Sequence, residues 1–166
     1  MGASGRRSQG SVVGHPHCSR DQHRPAGLRD AVPTRRPFPT RPTIDKAASG
    51  CQVRIALANP DSPYVAERDD EEGLGGTFPD RIRTTIDHFK PLFGIEGIDL
   101  RFHQTRMYNS VFRGDDEMFV TPHLYSLKGY RAPLLHIRRL ADDGMFDGFV
   151  AHLERVWVLS EPIPAP

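Results

Sequence analysis

Tyr108, Asn109, Ser110, Asp115 and His123 fall within one stretch, MYNSVFRGDDEMFVTPHLY, residues 107 to 125. Together they hold the groups a small site needs. An imidazole titrates near neutral pH, a carboxylate can orient or pair it, and tyrosine, asparagine and serine offer hydrogen bonds without reacting. Two further histidines, His103 and His136, stand near the ends of predicted strands, and Asp61 follows directly on another. A phosphodiesterase or hydrolase would use His123, His103 or His136 as its base, with Asp115 or Asp61 beside it. The bland alternative is that Asp61 caps a turn and the histidines lie on the surface.

These residues must be held by the elements around them. TIDKAASG, from Thr43 to the left-handed stop at Gly50, reads as the last turns of a helix. CQVRIALA, 51 to 58, alternates Val53, Ile55 and Leu57 as a strand does, and Asn59-Pro60-Asp61 stops it. NPDSPYVAERDDEEGLGG then reads as a long polar loop, in which the acids Asp69 to Glu72 repel anions and the glycines make no phosphate fingerprint. Thr77 is expected to cap a helix carrying Phe78, Ile82, Ile86, Phe89 and Phe93 on one stripe.

IEGIDLRFHQ supplies the next strand, with Ile98, Leu100 and Phe102 on one face. After the hairpin, SLKGYRAP is a loop and LLHIRRL a short strand holding His136. A last helix begins near Gly144 and presents Phe146, Phe149, Leu153 and Trp157 on one side, before a tail, SEPIPAP, expected to fray. The expectation is an α/β fold, a mixed sheet flanked by helices, spanning 43–160, with a frayed end at 161–166. One element is missing. A strand entered from a helix normally has a parallel partner before that helix, and residues 1–42 show none, so the strand is absent or comes from another chain.

The 166 residues sum to a formal charge of +1, but residues 1–42 carry eight arginines and two acids, and the remainder is net −5. With six prolines and few large apolar residues, the 1–42 segment is expected to be a disordered leader. Its composition also suits an inauthentic leader. His15, His17, Cys18 and His23 match no common zinc spacing, and Cys18 with Cys51 makes no disulfide framework. The arginines would bind nucleic acid only through charge. No run reaches the ~20 apolar residues of a membrane span and no signal sequence is readable, so a cytoplasmic protein is expected.

Residues 98–125, strand, link, strand, acidic turn, strand and a histidine, resemble one half of the phospholipase D superfamily. In that family a strand carries His-x-Lys, an aspartate follows after four residues, and a further strand ends in Gly-Ser-x-Asn. The resemblance puts Tyr108 at the histidine, Ser110 at the lysine, Asp115 at the aspartate and Thr121 to Leu124 at the last motif. Only the aspartate is kept. A phenol with a reference pKa near 10 is a poor nucleophile, and serine removes the cation that would stabilise a phosphorane.

A second resemblance covers about 45–158. QVRIALANPDSPYV, EEGLGG, RIRTTIDHFKPL, MYNSVFRGDDEMFVTPHLYS, APLLHIRRL and MFDGFVAHLERVW look like the C-terminal, phospholipase D-like domain of actinobacterial XRE-type helix-turn-helix transcriptional regulators. No helix-turn-helix is readable in 1–42, so direct DNA binding by this chain is not expected. The resemblance implies a non-catalytic ligand-sensing or dimerisation domain, with Tyr108, Asn109, Ser110, Asp115, His123 and Asp61 as ligand-binding candidates. Its partners would be a small-molecule or phosphate-containing ligand and a second copy of the chain. No cofactor or metal is expected.

Overall fold

The computed structural model describes residues 40–127 and 129–165. The histidine and cysteine group at 15–23 and nearly all of the expected leader lie outside these residues. The leader's last three positions do not fit that reading, because the first helix, α1, runs Thr40–Ala48. Pro42 is tolerated there, since a proline in the first turn gives up an N–H that has no intrahelical partner. Gly50 ends the helix at φ 89°, as its position suggested.

The described residues are mixed α/β, with their strands divided between two three-stranded sheets rather than gathered in one. In the first, β1 (Val53–Ala58) lies parallel to β2 (Ile98–His103), with Val53 opposite Ile98 and Ala58 opposite His103. A short β6, Glu161–Pro162, pairs antiparallel with the far edge of β2. The second sheet is antiparallel: β3 (Asn109–Gly114), β4 (Glu117–Pro122) and β5 (Leu135–Arg138). β1 is an edge of its sheet among the described residues, and the expected earlier parallel strand is not found among them.

The expected fraying from residue 161 is corrected by β6, which carries Ile163 into the first core. There Ile163 joins Val53, Ile55, Leu100, Phe89 and Leu92. Side chains as fully enclosed as Ile55 and Leu92 each contribute roughly 1.5–3 kcal/mol. A second core holds Val111, Met118 and Val120 against Phe146 and Leu153 of the last helix, α4 (Met145–Val158).

α4 also grips the first sheet. Arg54, on the β1 face opposite Ile55, makes two 2.9 Å bonds to Glu154. The Arg54 and Arg101 guanidinium carbons lie 4.2 and 4.5 Å from the Trp157 ring centre, so two cations of one sheet stack on one indole of the helix.

The stretch expected to be a loop contains a helix, α2, Pro63–Glu71. Ser62 accepts a hydrogen bond from the Tyr64 N–H at 3.3 Å, and Pro63 fits the first position. The next helix, α3, runs Thr77–Phe89, and its start also differs from expectation. The Thr77 hydroxyl turns back to the Leu74 carbonyl, while buried Asp69 of α2 accepts from the Gly76 and Phe78 N–H groups. One helix therefore caps the next. Among the described residues no helix is long and apolar enough to cross a membrane.

Candidate functional site

Parallel strands leave the chain at the same end, and the ends of β1 and β2, at Ala58 and His103, open onto a cleft of about 270 Å³. Crevices of open α/β sheets form at this end of the strands. The second wall is α2, whose Tyr64, Val65 and Arg68 face the cleft, backed by Phe78 and Ile82 of α3. The third is the start of the β3–β4 hairpin, with Asn109 and Ser110. The cleft thus lies between β1 of one sheet and β3 of the other.

His123 enters from the end of β4. Its N–H donates to the Tyr108 carbonyl at 2.6 Å, extending the hairpin pairing by one step beyond Asn109 and Pro122. Strand alternation then puts Tyr108 and Ser110 on one face of the hairpin with Thr121 and His123. The His123 ring, with 10% of its side chain exposed, reaches α2, where Nε2 is 3.0 Å from Glu71 Oε1. Nδ1 is 3.5 Å from Glu72 Oε1, close enough for attraction but outside hydrogen-bond geometry.

Glu72 is nearly enclosed, and Arg68 holds it at 2.8 Å. At the rim Arg106 pairs with Glu67 at 2.8 Å and lies 4.9 Å from the Tyr64 ring centre. Each of these cleft charges therefore already has a partner of opposite sign. Aliphatic and aromatic surface makes up most of the remaining lining.

His103 is 5% exposed, and its Nδ1 lies 3.2 Å from the Thr105 hydroxyl. Burial lowers its pKa to about 4, and His152 on α4 pushes the same way, so the ring is neutral at physiological pH. Asn109 Oδ1 is sealed from solvent and has no hydrogen-bond partner among the described residues.

The sequence candidates therefore separate. Tyr108, Asn109, Ser110, His123 and His103 line one cleft, with Tyr108 65% exposed at its mouth. Asp115 does not join them: it occupies the turn at the other end of the hairpin, at φ 52°. Asp61 points away to Arg83 at 2.6 Å. His136 stands on β5 against the Phe119 ring, 3.3 Å from Glu117. The expected pairing of a histidine with Asp115 or Asp61 is thus corrected. The carboxylates nearest a cleft histidine are Glu71 and Glu72, which the polar composition of their stretch hides by suggesting a loop where α2 forms. Ser62-Pro63, a cap followed by a first-turn proline, was the signal that could have found that helix.

Among the described residues no group of three or more histidine, cysteine or acidic side chains is placed to hold a metal ion. No family model matches the chain, and no curated protein or solved structure matches it significantly.

Proposed function

We propose that residues 40–165 form a non-catalytic ligand-sensing domain of the kind attached to bacterial transcriptional regulators, with its ligand in the cleft between β1 and β3. The observation that carries this reading is the cleft itself. It is concave, largely apolar, set at the carboxyl ends of two parallel strands, and bordered by a few polar groups that would orient a small molecule. The resemblance of the sequence blocks to such regulators supplies the biological setting, including a cytoplasmic location, a homodimer and DNA contacts made by another domain or chain.

The tyrosine and serine at the positions of the phospholipase D nucleophile and lysine favour binding over turnover. A thermal-shift screen with nucleotides, phosphodiesters and small metabolites tests the proposal. A ligand present at 100 times its Kd adds about 2.7 kcal/mol, an easily measured rise in Tm. Hits that vanish when Ala58→Phe fills the cleft support the reading. Hits that survive that change, or none at all, oppose it.

A hydrolase is the second reading, favoured by one contact, the 3.0 Å approach of Glu71 to His123. A carboxylate so placed orients an imidazole for general-base work. Hydrolysis of bis(p-nitrophenyl) phosphate that disappears in His123→Ala would favour the enzyme. Absence of turnover would leave the sensing domain.

A further inference from the structure

Resting on the sensing-domain reading, we infer that the cleft takes an uncharged, mainly hydrophobic molecule of one ring or a short chain, carrying a single hydroxyl or carbonyl group that meets Ser110. The first support is the wall, lined by Leu57, Ala58, Val65, Phe78, Ile82 and Met107. Water confined against such a surface gives up hydrogen bonds, and an apolar group that displaces it gains affinity. A volume of about 270 Å³ is room for roughly nine water molecules, which suits one ring with a small substituent.

Charge sets the second limit. Arg68 is held by Glu72, Arg106 by Glu67 and His123 by Glu71, each at 3.0 Å or less. The Arg68 and Arg106 guanidinium carbons also lie 5.3 and 4.9 Å from the Phe78 and Tyr64 ring centres, so each arginine is fixed by two contacts. Three carboxylates stand against two arginines, and counting His123 as charged brings the set only to neutrality. A phosphate or carboxylate therefore finds no spare cation, and a cationic ligand must break a bond that a carboxylate already makes. Both lose hydration without full compensation, a penalty an uncharged ligand avoids. His103, neutral at the inner wall, adds no charge. The phosphate-containing ligands that the phospholipase D resemblance suggests fit this wall poorly.

Ser110 supplies the polar contact. Strand alternation turns it to the hairpin face of Tyr108 and His123, the face that borders the cleft, and turns Asn109 to the other. Other hydroxyls of the lining are used within the protein: Thr105 faces His103 Nδ1 at 3.2 Å, Thr85 donates to the Arg81 carbonyl at 2.9 Å, and Ser62 accepts from the Tyr64 N–H. The half-buried Ser110 hydroxyl has no hydrogen-bond partner among the described residues. A hydroxyl donates or accepts by rotating, so it serves one carbonyl or one hydroxyl of a ligand.

The test uses the full chain, isotopically labelled, titrated with five probes of similar size: benzyl alcohol, toluene, benzoate, phenyl phosphate and benzylammonium. Benzyl alcohol is expected to move the amide resonances of Ala58, His103 and Ser110, with a Kd at least ten-fold tighter than any charged probe. Ser110→Ala should weaken benzyl alcohol at least three-fold more than it weakens toluene. The ranking of probes on the native chain stands even where the variant folds poorly. A charged probe binding there as tightly as benzyl alcohol would overturn the uncharged assignment while leaving a ligand-binding cleft. Equal weakening of benzyl alcohol and toluene would overturn the role of Ser110. Cleft resonances unmoved by all five probes would overturn the whole inference, and the Ala58→Phe screen then decides the broader reading by itself.

Discussion

His123 Nε2 and Glu71 Oε1 meet at 3.0 Å, a contact that ties the β3–β4 hairpin to a helix 52 residues earlier in the chain. It closes one side of the cleft. The ring is nearly enclosed and the carboxylate 30% exposed, so the pair lies between a surface contact and a buried one. A double-mutant cycle with His123→Ala and Glu71→Gln should give a coupling energy of about 1 kcal/mol in urea denaturation. Additive losses would show that the two side chains are neighbours without being energetically linked.

His103 predicts a pH dependence. Its folded pKa, about 4, lies below the ordinary value of 6.5, so folding favours the neutral ring. This contribution is fully present above pH 6.5 and is lost as pH falls from 6.5 towards 4, because the unfolded chain takes up the proton first. The full loss is about 3 kcal/mol. Urea unfolding of the native chain and of His103→Gln between pH 7 and pH 4 isolates it: the difference in slope should disappear in the variant. An imidazole titrating near 6.5 by NMR would remove the prediction.

Asp69 is 3% exposed and accepts from two backbone N–H groups at the start of α3. Asp69→Ala should cost about 2 kcal/mol, the upper end for a lost helix cap, because a negative group at the positive end of a helix is lost as well. Thr77→Ala should cost far less. Equal losses would place the cap at Thr77, as the sequence alone suggested.

Arg54 is 8% exposed and is bonded through both terminal nitrogens to Glu154. Glu154→Gln should destabilise the chain by about 2 kcal/mol by leaving a buried cation without its carboxylate. Arg54→Met added to Glu154→Gln should restore most of that loss and change Trp157 fluorescence, since Arg54 stacks on its ring. A double variant as unstable as the single one would place the cost in packing.

Much of the local structure was legible from residue types. Val53, Ile55 and Leu57 alternate as a strand must when one face meets an apolar layer, and Ile98, Leu100 and Phe102 repeat the pattern opposite them. The hairpin from Asn109 to Pro122 and the apolar stripe of α4 follow the same rules. α2 was not legible by periodicity, because its nine residues carry a short charged face and bury Val65 and Asp69. β6 was hidden for a related reason: two residues and one buried isoleucine are too few to show a period.

The sequence by itself determined β1 to β5, the two longer helices and the identity of the polar residues in the hairpin, because each depends on neighbours within a few positions. Tertiary structure decided which of them share a site. Asp115 lies five residues from Ser110, yet an extended strand rises about 3.3 Å per residue and carries it to the far end of the hairpin. Glu71 lies far earlier in the chain, yet the parallel pairing of β1 with β2 brings α2 over the same strand ends and places its carboxylate against His123. Spacing along the chain is a guide only within one element. Between elements, pairing and packing set the distances.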